Sequence, residues 1–174
     1  MKTINGPGTL LSRAKRLIMI KWQCKTFPEL TNEELYKILQ LRNEVFVVEQ
    51  KCPYLDCDNK DFQAHHVAGW DGGLIVAYSR LLGKGISFPD AASIGRVLTA
   101  PEARKKNIGK ELMRYSIDKI YALHGAVSIK ISAQLYLRQF YEGFSFVQRS
   151  GAYDEDGIPH IMMEKIPSIY SNGQ

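Results

Sequence analysis

The chain has 174 residues, 45% of them hydrophobic, which fits one folded domain with a sizeable core rather than a disordered protein. Its formal charge of +5 does not signal a nucleic-acid surface: Lys2, Arg13, Lys15 and Arg16 sit in a first stretch of 18 residues without Asp or Glu, and the remainder holds 19 basic against 18 acidic residues. No run of about 18 apolar residues is present to span a membrane, and three cysteines, an odd and sparse set, point to a reducing cytoplasm and no disulfide framework.

In chain order, residues 1–18 read as an extension before a natural beginning at Met19-Ile20-Lys21-Trp22, with an apolar stretch too short for a secretory signal. One domain then runs over residues 19–168, and 169–174 form a tail. Thr31 with Glu34 three residues on is a capping box that opens a helix through Arg42 and on to Phe46. Leu35, Ile38, Leu39, Arg42 and Phe46 share one face of it. Residues 52–63 are rich in Asp, Asn and Pro and read as a loop. Cys52 and Cys57 lie near His65 and His66, but their spacing lacks the short pair that zinc sites use, so no metal is expected.

His66 to Trp70 and Leu74 to Leu82 are β-prone runs joined by Asp71-Gly72-Gly73, a strong hairpin signal. A looser connection leads to a strand over Ser93 to Thr99. A helix starts near Asn107 and stops at His124-Gly125. Val127 to Ser132 alternates into a further strand, a short helix carries Phe140 and Tyr141, and strands near Phe146 to Arg149 and His160 to Lys165 close the sheet. Hairpin strands first and strand-helix crossovers after predict an α/β (α+β) domain: a central mixed, mostly antiparallel sheet with helices on both faces.

The run Ile94-Gly95-Arg96-Val97-Leu98-Thr99-Ala100-Pro101-Glu102-Ala103-Arg104-Lys105-Lys106-Asn107-Ile108-Gly109-Lys110 passes from strand through a basic turn into a helix start. Unpaired N–H groups and the positive dipole end of that helix, reinforced by Arg104, Lys105 and Lys106, form a layout for a phosphate or pyrophosphate. The spacing matches neither a Walker loop nor a Rossmann turn. It resembles the R/Q-x-x-G-x-G/A turn of the GNAT (GCN5-related) acyl-CoA N-acyltransferases, with Arg104 first, Asn107 in place of the first glycine and Gly109 last. Asn tolerates the left-handed backbone such a place demands. Ser132-Ala133-Gln134-Leu135-Tyr136-Leu137-Arg138-Gln139-Phe140-Tyr141-Glu142-Gly143-Phe144-Ser145-Phe146-Val147 is similar to the second signature of that family, with Ser145 in the usual glycine place. Leu41-Arg42-Asn43-Glu44-Val45-Phe46-Val47-Val48-Glu49-Gln50 with Cys52-Pro53-Tyr54, and Tyr153-Asp154-Glu155-Asp156-Gly157-Ile158-Pro159-His160-Ile161, resemble its ElaA-like branch.

The resemblance implies the GNAT fold, acetyl-CoA as co-substrate and transfer of an acetyl group to a primary amine of a small molecule or protein. It places the Val97 N–H on the thioester carbonyl and pairs Leu98 and Thr99 with the pantetheine amides. The turn Arg104, Lys105, Lys106, Asn107, Ile108, Gly109 and Lys110 would cradle the pyrophosphate, with Gln134 facing the cofactor and Tyr141 as general acid. For the base, the candidates are Glu49 and His160, followed by His66 and Asp156, which with Arg42 and Arg96 are also candidates for acceptor binding. An ion pair of either arginine with Glu44 or Glu49 is the competing reading. Glu49, Asp56, Asp58, Glu155 and Asp156 suggest a cationic acceptor, and homodimerisation is a tendency of the family. Two alternatives stay open: an acyl-homoserine-lactone-synthase-like acyltransferase, and an acyl-CoA-binding regulator without transfer activity.

Overall fold

The computed structural model describes residues 19–167, so the expected extension 1–18 and tail 169–174 lie outside the described residues. Thr31 caps α1 (Asn32–Arg42) through the expected box: its hydroxyl accepts from the Glu34 N–H at 3.1 Å and the Glu34 carboxylate accepts from the Thr31 N–H at 2.9 Å. The helix does not end near Phe46. It widens into π-helical turns over Asn43–Glu49, a device that sequence periodicity does not announce.

Among the described residues eight strands make one sheet in the order β1-β2-β3-β4-β5-β8-β6, with β7 also paired to β8. They are β1 (Lys21–Thr26), β2 (His65–Asp71), β3 (Leu74–Leu82), β4 (Ala92–Thr99), β5 (Ile129–Gln134), β6 (Val147–Gln148), β7 (Tyr153–Glu155) and β8 (Ile158–Lys165). The hairpin between β2 and β3 turns at Gly72 and Gly73, whose φ angles of 58° and 89° suit glycine. All pairings are antiparallel except β4 with β5. Neither β1, an edge strand, nor the three-residue β7 is among the strands expected from the sequence.

Among the described residues two more α-helices follow: α2 (Ile108–His124), stopped by Gly125 at φ 71°, and the short α3 (Arg138–Glu142). Successive residues of a strand face opposite sides of the sheet. On β3, Tyr78 lies under the Arg42 guanidinium of α1, whereas the Ser79 hydroxyl bonds Ser116 of α2 at 2.8 Å. The two long helices therefore cover opposite faces, as expected. Ile108, Leu112, Met113, Ile117 and Ile120 form the apolar stripe of α2, and Leu112, Met113 and Ile120 are fully buried. Each such side chain contributes about 1.5–3 kcal/mol.

Both positions where the resembling family carries glycine, Asn107 and Ser145, adopt left-handed backbone, at φ 62° and 66°. Asn tolerates this better than Ser. Because Ser145 is exposed, Ser145→Gly is expected to stabilise the fold by about 0.5–1 kcal/mol, a rise of about 1–4 °C in Tm for a chain of this size. Comparative thermal melts with Ser145→Ala, which keeps the backbone penalty, check this.

Candidate functional site

β4 and β5 pair only at Ala92↔Ile129 and Ser93↔Lys130; beyond that the two parallel strands separate. A cleft of about 770 Å³ opens along them. Val97, Leu98 and Thr99 line it from β4 and Gln134 from β5, with Glu49 of the widened helix, Arg96, Arg104, Gly109, Tyr141, Asp156 and His160 around them. On the other side of β4, Tyr78 pairs with Leu98 and Arg80 with Gly95, so one residue of β3 faces two of β4. This bulge leaves Arg96 and Val97 without cross-strand partners in the β3 and β5 ladders.

At the cleft's other end α2 begins at Ile108, preceded by Asn107 as its N-cap, whose side chain makes no capping bond. The first intrahelical bonds run from the N–H groups of Lys110 and Glu111 to the Asn107 carbonyl, so the N–H groups before them keep the open geometry of a helix start. Gly109 lines the cleft, and a Cβ built there would meet only ordinary contacts, 3.8 Å from Thr99 and 3.9 Å from Phe140. Nothing in the chain itself demands glycine at this helical position, where it costs about 1 kcal/mol relative to alanine. Lys105 and Lys106 are exposed on the turn, the latter bonding the Glu102 carbonyl at 2.8 Å; Ile108 is buried in the core, and neither they nor Lys110 line the cleft.

Arg104 grips Glu49 bidentately, at 2.6 and 2.7 Å, and this bond holds the Glu49 carboxyl below the usual carboxylate range. Gln134 donates to the Gln50 side chain at 3.1 Å across the cleft. Tyr141 is 6% exposed and its hydroxyl has no hydrogen-bond partner among the described residues. Burial pushes its pKa well above the ordinary phenol value, so it stays protonated at neutral pH. The His160 Nδ1–H donates to the Ile158 carbonyl at 2.8 Å, which fixes the tautomer and leaves Nε2 as the basic nitrogen. Tyr153 stacks on the same ring.

Two expected acceptor ligands are not in the cleft. Arg42 is fully buried: its Nε donates to Asp56 at 2.7 Å, Nη1 to Asp61 at 2.7 Å, and Nη2 to the Asp56 carbonyl at 3.0 Å. It is a structural ion pair, with partners from the following loop and not Glu44 or Glu49. His66 is 1% exposed, donating from Nε2 to the Asp61 carbonyl at 3.0 Å and accepting from the Tyr78 hydroxyl at 2.8 Å. Burial holds its pKa below the ordinary imidazole value, and with both nitrogens engaged it has no lone pair for a base.

The acidic surface thought to suit a cationic acceptor is mostly neutralised. Asp56 pairs with Arg42 and Arg96, Asp58 accepts two bonds from Arg80, Glu155 accepts from Ser132, and Glu49 is held by Arg104. The Asp156 carboxylate alone of this set is exposed with no such bond among the described residues, while its carbonyl accepts the Cys52 thiol at 3.2 Å. Cys57 is exposed, and no three His, Cys, Asp or Glu side chains converge as a cation site among the described residues. Gln50 and Tyr54 line the cleft without having been singled out, although both lie in the runs that carry the resemblance. Arg80 also lines it and had no signal beyond being a basic residue in a β-prone run.

The family model for the acetyltransferase (GNAT) domain matches residues 28–167. The ElaA protein of Escherichia coli is 38% identical over 149 residues, spanning 84% of this chain and 97% of the relative. Its crystal structure superposes with a TM-score of 0.80 at 37% identity, covering 84% of this chain and 99% of that one. The crystal structure of an acyl-CoA N-acyltransferase from Pseudomonas aeruginosa matches with 40% identity and a TM-score of 0.80, over 84% of this chain and 99% of that one. Among the described residues no helix is long and apolar enough to cross a membrane.

Proposed function

Because the chain belongs to the GNAT acetyltransferase family, in its ElaA-like branch, we propose that it is a cytoplasmic enzyme that transfers an acetyl group from acetyl-CoA to a primary amine by direct attack. The family supports acyl transfer in general; the acetyl donor and the amine acceptor are the steps of this proposal. The observation that carries it is the splayed β4–β5 pair, running from the bulge at Val97 to the uncapped start of α2.

The residues present fit an acyl-CoA. The open N–H groups at the start of α2, the room beside Gly109 and the basic turn Arg104 to Lys106, whose Arg104 is paired with Glu49 in the structure, suit a pyrophosphate. The unpaired edge of β4 suits the amides of a pantetheine arm. Val97 is outside the register of both ladders, and its N–H can donate to the carbonyl oxygen as negative charge builds there, a contribution of about 3 kcal/mol for one such donor. The bond that forms joins the amine nitrogen to the acetyl carbon, and the bond that breaks is carbon to sulphur. The nitrogen proton goes to His160 Nε2, directly or through water, and the Tyr141 hydroxyl supplies a proton to the departing thiolate. Of the two leading base candidates, Glu49 and His160, His160 is favoured, since Glu49 is committed to Arg104 and is a weaker base for it.

Thiol release from acetyl-CoA over a panel of small amines and lysine- or N-terminus-bearing peptides tests the proposal. Turnover on at least one amine, lost in His160→Gln by about tenfold or more, is expected. Binding without thiol release on every acceptor would make the protein an acyl-CoA-binding regulator and sink the transferase proposal.

A further inference from the structure

Arg96 stands at φ 51°, inside β4, as the first residue of the bulge that removes Val97 from the β3 ladder. A bulge with a left-handed first residue normally uses glycine there, because an L side chain in that conformation crowds its own backbone. An arginine persists only if something holds it. Its side chain is held on three sides: Nε donates to Asp56 Oδ1 at 2.6 Å, Nη2 donates to the Asp56 carbonyl at 3.2 Å, and the guanidinium lies over the Tyr54 ring, 5.6 Å from its centroid. Asp56 is itself anchored, accepting from the buried Arg42 at 2.7 Å and from the Tyr54 hydroxyl at 2.8 Å.

Resting on the acyl-transfer proposal, we infer that Arg96 is a positioning residue: clamped by Asp56 and Tyr54, it holds the left-handed bulge that keeps the Val97 N–H out of the ladder and available to the reacting carbonyl. Arg96 acts through its own backbone and not by binding the acceptor. The loop after the widened helix is thereby tied to the reaction centre through one carboxylate, with a second, that of Asp58, 3.6 Å from Nη2.

Glycine and alanine separate the two roles, since both remove the side chain but only glycine adopts φ 51° without strain. Arg96→Ala is expected to lower kcat about tenfold to a hundredfold, in line with the cost of misplacing a reacting group. Arg96→Gly is expected to keep kcat about tenfold above the alanine variant, with acceptor KM alike in the two. Arg96→Asn, whose side chain tolerates the left-handed region, is expected between them. Equal kcat in the glycine and alanine variants, or acceptor KM raised alike in both with kcat unchanged, overturns the inference. The Val97 and Leu98 amide resonances give a readout that needs no turnover: they should stay near wild-type positions in Arg96→Gly and shift in Arg96→Ala, and identical spectra for the two variants also overturn it. If the wild type turns over no amine, the transferase proposal fails by itself, while the amide ordering still decides the role of Arg96.

Discussion

Tyr141→Phe is expected to lower kcat for thiol release about a hundredfold while changing the Kd for acetyl-CoA by less than about threefold. General-acid assistance of this kind is worth about 10²–10⁴ in rate, and the lower end applies because a thiolate is already a competent leaving group. The ring is 6% exposed and packs edge-on against Phe140 and Phe146, so removing one oxygen leaves the packing intact. Burial keeps the hydroxyl protonated, which suits a donor and disqualifies it as a base at neutral pH. A structural tyrosine would behave differently, with kcat unmoved and any loss appearing in the melting temperature. Single-turnover measurement of free thiol separates chemistry from product release and makes the comparison decisive.

Arg42→Ala is expected to cost about 3–5 kcal/mol of stability, a fall of about 6–20 °C in Tm for a chain of this size. The substitution strips Asp56 and Asp61, both largely shielded from water, of their shared partner. Arg80 at 3.2 Å from Asp61 and Arg96 at 2.6 Å from Asp56 soften the loss without replacing the fully buried fork. Arg42→Lys keeps the charge but not the planar donors, so it should recover only part of the difference. Denaturant midpoints measure the effect. A normal midpoint with a raised acceptor KM would restore Arg42 to the acceptor site and contradict its structural role.

The features legible in the sequence are those that short stretches decide alone. The Thr31 and Glu34 cap, the Gly72-Gly73 hairpin and the Gly125 stop each depend on residues within a few positions of one another, and all three stand in the structure. The left-handed backbone at Asn107 was legible for a similar reason, because only a few residue types tolerate it cheaply. The roles of Arg42 and His66 were not, because their partners come from the loop at 56–61, and which acid meets which base there is settled only when β2, β3 and α1 pack together. Neither Arg96 at positive φ nor the π-helical widening at Asn43–Glu49 follows from propensity, since in both the local preference is overruled by tertiary contacts. Strands β1 and β7 escape the pattern reading because one is a sheet edge and the other spans three exposed residues.

The proposed function requires the cleft to bind an acyl-CoA, and calorimetric titration of the protein with acetyl-CoA tests this most directly. One equivalent should bind, with affinity weakened by rising salt if, as proposed, the turn at Arg104 to Lys106 engages phosphate charge. Affinity should fall again in Arg104→Ala. Absence of binding heat, together with a melting temperature unmoved by saturating acetyl-CoA, would contradict the account at its base.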